Sequence, residues 1–338
     1  MYYCSHITKD LKEDFENLAK KNTASGFHQS FAWSKFKQAQ GWDTYKIGLF
    51  SDKTKKLVGG CSVLEFCFSD GTSFLYIPEG PVLDYTDEDN LFWQWRAIET
   101  ALHSIIALDP EKKTTHLRME PRINAVPKWF FTGFIKAPLN LQPRYTQTLN
   151  IEMSEDEMLA QMKPKGRYNI RLAHKKGVTV REISFDKISD FYNVYKTTFE
   201  RNKFEGKDLD FFHSYTKNCD EHSKVFVAEV DGKVLASAII IYFGDRATYF
   251  YGASSNEMRE YMAPYALHWH IIKDAKNKGY KEYDFWGIAK DENDTKHDWH
   301  GLTKFKKQFG GNQLNFVGAY DYVFQQDLYK AFIKKHES

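Results

Sequence analysis

The sequence predicts an α+β protein built as two similar domains, and three observations carry that prediction. Its 338 residues are about twice a usual domain length, which favours two cores over one. Hydrophobic residues at 42% against 27% charged supply the apolar surface to fill both. An order of hairpin, strand, helix and strand also occurs twice along the chain.

The clearer copy starts at Val225. Residues 225–230 and 233–243 are rich in Val, Ile and Phe and are joined by Asp231-Gly232, a two-residue hairpin signal. A turn at Gly244-Asp245 leads to a third strand over 247–252. Residues 263–278 carry Leu267, Ile271 and Ala275 at four-residue spacing and close on Gly279, which predicts a helix; 283–285 reads as a short strand. The earlier copy has strands over 45–50, 57–68 and 74–78, a helix from about 88 to 108 and a strand over 116–119. No residue-level repeat links the copies, so the duplication rests on element order.

That order is the back half of an acetyl-CoA-dependent N-acyltransferase fold. The predicted architecture is therefore two acyl-CoA N-acyltransferase-like (GNAT-like) domains packed together. Such folds cradle the cofactor pyrophosphate on the backbone of a Gly-rich loop before the helix. Here the corresponding residues, 253–262, contain no glycine and two glutamates, Glu257 and Glu260. An acyl donor other than acetyl-CoA is expected, with no cofactor.

Charge and cysteine usage narrow the setting. Lys and Arg total 47 against 45 Asp and Glu, so no general positive field exists and any anionic ligand must be met locally. Cys4, Cys61, Cys67 and Cys219 form no CxxC pair, which argues against zinc or a dithiol motif; no metal is expected. Cys61 and Cys67 on one strand would stand about 20 Å apart, beyond disulfide reach. Free thiols imply a reducing, cytoplasmic setting. Residues 1–20 mix charge throughout and do not read as an export signal, and the apolar run 239–243 is far short of a bilayer span.

Two stretches suit anions. Residues 163–176 carry Arg167, Arg171 and Lys175 four apart on one helical face with no acid, fitting either a solvated basic face or a nucleic-acid phosphate backbone. Residues 296–311 interleave lysines with aromatics; Phe305 and Phe309 at i,i+4 favour a buried stripe, which frees Lys306 to point elsewhere. No histidine sits in a credible triad and no nucleophilic Ser or Cys motif is supported, so covalent catalysis is not expected.

An ordered set of segments resembles the Fem (FemA/FemB/FemX-like) transferases of peptidoglycan bridge synthesis. They are Gln29-Ser-Phe-Ala-Trp33 with Lys37 and Gly41-Trp42, Tyr76-Ile-Pro-Glu-Gly-Pro81, Arg118-Met-Glu-Pro121, Gln142-Pro143, and Arg167-Tyr-Asn-Ile-Arg171 with Lys176-Gly-Val178. Tyr251-Gly-Ala-Ser254, Ala263-Pro-Tyr265 with His268-Trp269, Tyr283-Asp-Phe-Trp-Gly-Ile288 and Phe305-Lys306 with Phe309-Gly-Gly311 complete it.

The resemblance implies transfer of an amino acid from aminoacyl-tRNA to the stem-peptide amine of a UDP-linked or lipid-linked muramyl-pentapeptide, with peripheral membrane contact and no stable protein partner. It implies domains over 1–146, joined by a returning 312–338, and over 147–311, with a substrate cleft at their junction. No charged heptad stretch is present, so the long helical coiled-coil arm of some relatives is not expected. Lys306 takes the catalytic role, as an ammonium that stabilises the tetrahedral oxyanion. Glu120 stands where the family more often has aspartate, positioning the acceptor or accepting its proton. Lys37 and Arg201 would hold the precursor diphosphate, with Trp33, Tyr249 and Tyr251 in the substrate groove. Lys304 and Lys307 join Arg167, Arg171 and Lys175 as tRNA-facing cations. An acyl-CoA-dependent N-acyltransferase and a non-catalytic tRNA- or precursor-binding protein remain the alternatives.

Overall fold

The structure, a computed structural model, describes residues 1–202 and 205–337. The chain forms two compact units, Met1–Arg144 together with Asn315 onward, and Tyr145–Leu314. In chain order the first unit contributes β1 (Tyr2–His6), α1 (Lys12–Lys21), α2 (Phe31–Ala39), β2 (Asp43–Ser51), β3 (Leu57–Cys67), β4 (Thr72–Pro78), α3 (Glu88–Ala107), β5 (Lys113–Glu120), α4 (Phe130–Gly133) and β6 (Ile135–Lys136). The second contributes β7 (Tyr145–Asn150), α5 (Glu155–Gln161), α6 (Pro164–Lys175), β8 (Thr179–Ile183), α7 (Ile188–Asn202), α8 (Leu209–Cys219), β9 (Ser223–Val230), β10 (Lys233–Phe243), β11 (Arg246–Ser254), α9 (Ala263–Asn277), β12 (Glu282–Gly287), α10 (His300–Lys306) and β13 (Asn312–Asn315). The chain then returns to the first unit with β14 (Tyr320–Val323) and α11 (Gln326–His336).

The two sheets share one plan. The first runs β1-β2-β3-β4-β5-β14-β6, and the second, read from its own matching edge, β8-β9-β10-β11-β12-β7-β13. In each, four antiparallel strands are followed through a helix, α3 or α9, by a parallel fifth strand and then an antiparallel sixth. The sixth strand has different origins: β14 comes from the end of the chain, whereas β7 opens its own unit. The fold class is thus α+β with a doubled strand order.

Local chemistry explains the elements that frame the site. Asp231 and Gly232 both adopt positive φ, 49° and 77°, as a two-residue hairpin of mirror-image type demands. Helix α9 opens on Pro264, whose fixed φ suits a first turn, and closes on Gly279 at φ 88°, with the Tyr280 N–H donating to Ala275 O at 3.1 Å. Its buried stripe, including Leu267, Ile271 and Ala275, meets Leu149, Phe226, Ile240 and Phe285 of the sheet. Each such Leu, Ile or Phe contributes about 1.5–3 kcal/mol by leaving water.

The parallel pairs of the two units differ at one end. β4 and β5 stay paired from Thr72 opposite Lys113 to Pro78 opposite Glu120. β11 and β12 pair at Arg246–Glu282, Ala247–Tyr283 and Thr248–Asp284 and then part, so β11 runs on through residues 249–254 away from its neighbour. The second sheet is therefore open where the first is closed.

Candidate active site

Lys306 lies at the open end of that strand pair. It is the last residue of α10 and only 3% exposed. Its Nζ donates to Gly287 O at 2.7 Å and stands 5.6 Å from the centroid of the Tyr249 ring. Phe305 and Phe309 turn to the core, their rings 5.0 and 5.6 Å from Tyr265, so the helix presents Lys306 on a different face. Burial pushes the Lys306 ammonium down to about 7, against the opposing pull of the Asp284 charge. Burying a lysine beside few acceptors is costly, and such groups concentrate at functional sites.

Tyr249 reaches this position because Gly252 has no side chain; a Cβ there would run into the Tyr249 hydroxyl. His268, on α9, packs 4.4 Å from the Tyr249 ring and bonds through Nδ1 to the Tyr283 hydroxyl at 2.9 Å. Burial and the neighbouring Lys306 charge push His268 down to about 3, so the ring is neutral near pH 7. Further along β11, Tyr251 sits among Tyr195, Phe211 and Phe212, at 6.2, 6.2 and 5.2 Å. Arg201, in the last turn of α7, donates to Ser254 O at 3.0 Å and Asn256 Oδ1 at 2.7 Å, which ties the end of β11 to that helix. Burial and the nearby Arg259 lower its affinity for the proton.

In the first unit Glu120 ends β5 at the closed pair. Its carboxylate accepts from the Tyr76 hydroxyl, from Leu141 N–H at 2.7 Å and from Gln142 N–H at 3.0 Å. Gln142 Nε2 in turn donates to the Tyr76 hydroxyl at 3.1 Å. Burial pushes Glu120 up to about 7 in spite of these donors and the Arg118 charge. Lys37 of α2 places its ammonium 4.0 Å from the Trp42 ring and 5.9 Å from Trp33. Trp33 is held edge-on by His28 at 4.4 Å, whose Nδ1 pairs with Glu79 at 2.7 Å.

The two basic stretches meet. The Lys163 N–H donates to Gln308 O at 3.0 Å, and a Cβ on Gly166 would collide with that same carbonyl, so α6 docks closely on the segment after α10. Arg171, Lys175 and Lys304 are exposed and Lys307 is half-buried. Arg167 turns inward: its guanidinium donates to Leu159 O at 3.3 Å, Ala160 O and Met162 O, closing the end of α5. Asp284 and Gly287 are chemically prominent here, and neither is assigned a role by sequence reasoning. An acid and a glycine in the otherwise apolar segment 283–288 were the available signal.

Among the described residues no helix is long and apolar enough to cross a membrane, and the longest, α3, has 20 residues. The family model described as the FemAB family matches residues 11–124, 129–233 and 231–335. Lipid II:glycine glycyltransferases of Staphylococcus aureus, from strains COL and MRSA252, are each 23% identical over 409 aligned positions covering 96% of this chain and 94% of theirs. Against 338 residues, 409 positions leave at least 71 at which this chain has no residue, so those relatives are the longer proteins. In fold, the chain is similar to FemX, with a TM-score of 0.83 at 21% identity over 97% of this chain and 99% of that one. It is also similar to L-PGS from Bacillus licheniformis, at 0.55 with 13% identity over 94% and 92%, and to a tandem GNAT protein from the clavulanic acid pathway, at 0.52 with 8% identity over 96% and 98%. The family pattern spans nearly the whole sequence, in the order in which the two units are built, and the chain belongs to the FemAB family.

Proposed function

We propose that this protein transfers an amino acid from aminoacyl-tRNA to the stem-peptide amine of a lipid-linked or UDP-linked muramyl-pentapeptide. The observation that carries the reading is Lys306, an ammonium withdrawn from water at the open end of the β11 and β12 pair. Family membership and the relatives that act on lipid II support the same substrate class.

In this reading the amine nitrogen attacks the ester carbonyl carbon of the aminoacyl-tRNA, forming the C–N bond and an oxyanion. Lys306 meets the developing charge in a poorly solvated site, where such stabilisation is strongest. Collapse breaks the C–O bond, and the tRNA terminal oxygen leaves with the amine's proton. No acyl-enzyme is needed, because the ester is already activated and both reactants are held in place. Within the first unit Lys37, steadied between Trp33 and Trp42, is a cation for the precursor diphosphate; within the second Arg201 is a cation of the same kind, with Tyr249 and Tyr251 lining the groove there. Glu120, surrounded by donors, positions the 141–142 turn for the acceptor. Arg171, Lys175, Lys304 and Lys307 face the tRNA, supported by Arg167. The lipid-linked acceptor implies peripheral contact with the inner face of the membrane.

The test is transfer of labelled amino acids from a mixed pool of charged tRNA to UDP-linked and lipid-linked muramyl-pentapeptides, with native protein and Lys306→Met. Label on one acceptor, reduced at least about 100-fold in kcat by the variant, is the expected result. Consumption of acetyl-CoA with no labelling of either acceptor would replace this reading with a CoA-dependent one.

A further inference from the structure

The carbonyl that Lys306 engages is set by an unusual piece of backbone. Along β12, Asp284 stands opposite Thr148 of β7 and Gly287 opposite Thr146. Phe285 and Trp286 therefore share the space facing Gln147 alone, which makes a β-bulge. Trp286 adopts φ 64°, a left-handed conformation that a bulky side chain avoids unless its surroundings impose it. The constraint is visible: the fully buried Asp284 carboxylate accepts the Trp286 N–H at 2.8 Å and the Thr146 hydroxyl. The next carbonyl along, Gly287 O, receives Lys306 Nζ.

We propose that Asp284 and the left-handed bulge at Trp286 form a positioning device for Lys306, the carboxylate keeping the buried amine charged and the bulge aiming Gly287 O to hold it. The inference rests on Lys306 as the group that meets the developing oxyanion. Three elements face the ammonium with titratable groups: Asp284 from β12, His268 from α9 and Tyr249 from β11. Burial keeps His268 and Tyr249 in their neutral forms near pH 7, so neither balances the lysine. Asp284 supplies the countercharge, and through Trp286 it also fixes the chain at the carbonyl.

The test follows the Cε resonance of Lys306 in isotope-labelled protein, assigned by its loss in Lys306→Met. In Asp284→Asn, which keeps the shape and an acceptor for the Trp286 N–H, the Lys306 midpoint is expected to fall by about one pH unit or more. The alkaline limb of the transfer profile should move with it. An unchanged midpoint in folded Asp284→Asn overturns the inference. Trp286→Val offers a second reading that keeps the carboxylate, because a β-branched residue resists the φ of 64° that the bulge requires: the midpoint should stay, while kcat falls about tenfold or more and the donor KM changes less than about threefold. Unaltered kcat in that variant overturns the role of the bulge. If the midpoint responds to Asp284→Asn but native protein transfers nothing from any charged tRNA, the coupling stands and the proposed reaction is what fails.

Discussion

At the scale of single residues, Lys306 and Glu120 are two buried ionisable groups, each drawn towards about 7 from opposite sides. For Lys306 the consequence for stability has a definite sign. Between about pH 7 and its ordinary value of 10.5, the unfolded chain binds this proton and the folded chain does not. Folding is therefore favoured as pH rises through that window, and the full penalty applies below it. Lys306→Met removes the penalty, so the variant should be more stable than native protein at pH 6 by on the order of 2 kcal/mol, an advantage that shrinks by pH 10. Denaturant midpoints at both pH values check this, and a variant less stable at pH 6 would contradict it. Transfer should also fall as pH rises through about 7, when the ammonium is lost. Glu120→Gln is expected to behave differently. It withdraws acceptor capacity from Tyr76, Leu141 and Gln142 and should cost about 1–3 kcal/mol of stability. Under the positioning role its kcat at saturating acceptor should hold within about tenfold while acceptor KM rises; a loss as deep as that of Lys306→Met would make it the base instead.

At the scale of elements, the separation of β11 from β12 turns a repeated sheet into a site in one unit only. Gly252 is the residue on which Tyr249 depends. Gly252→Ala places a methyl group against the Tyr249 hydroxyl and ring and should swing the ring away from Lys306, lowering transfer about tenfold and, because the ring is packed on His268, lowering the melting temperature as well. Equal transfer by this variant would show that Tyr249 is not needed. Much of this scale was readable in the sequence. The hairpin at Asp231-Gly232, strand β10 over Lys233–Phe243 and helix α9 follow from turn chemistry and apolar spacing, and the observed elements agree to within a residue or two. The edge strands β1 and β8 and the short β6 and β13 were not legible, because too few residues alternate to distinguish them from loop. Helices α7 and α8 carry apolar faces in a stretch dense with aromatics, where no turn signal marked the period. The Trp286 bulge was not legible either, since positive φ at a tryptophan is a tertiary outcome that residue type argues against.

At the scale of the whole molecule, no helix among the described residues is longer than the 20 residues of α3, so under the proposed function recognition of tRNA falls to local charge. With a net charge of only +2, the chain has no general field to draw in a polyanion. The docking of α6 on the segment after α10 does gather cations from two stretches of sequence into one unit, among them the exposed Arg171, Lys175 and Lys304. Each cation that neutralises a phosphate releases a counterion, so binding should weaken with salt in proportion to the number of contacts. Arg171→Ala, Lys175→Ala and Lys304→Ala should each lower the slope of log affinity against log salt by about 0.7–0.9 for charged tRNA, and leave precursor affinity unchanged. Arg167→Ala should act otherwise: by uncapping α5 it should lower the melting temperature, because its guanidinium is bonded to three backbone carbonyls. Binding titrations from low to physiological salt separate the two behaviours. If the three exposed cations leave the slope untouched, the tRNA must be held elsewhere on the chain, and the basic face is a solvated surface.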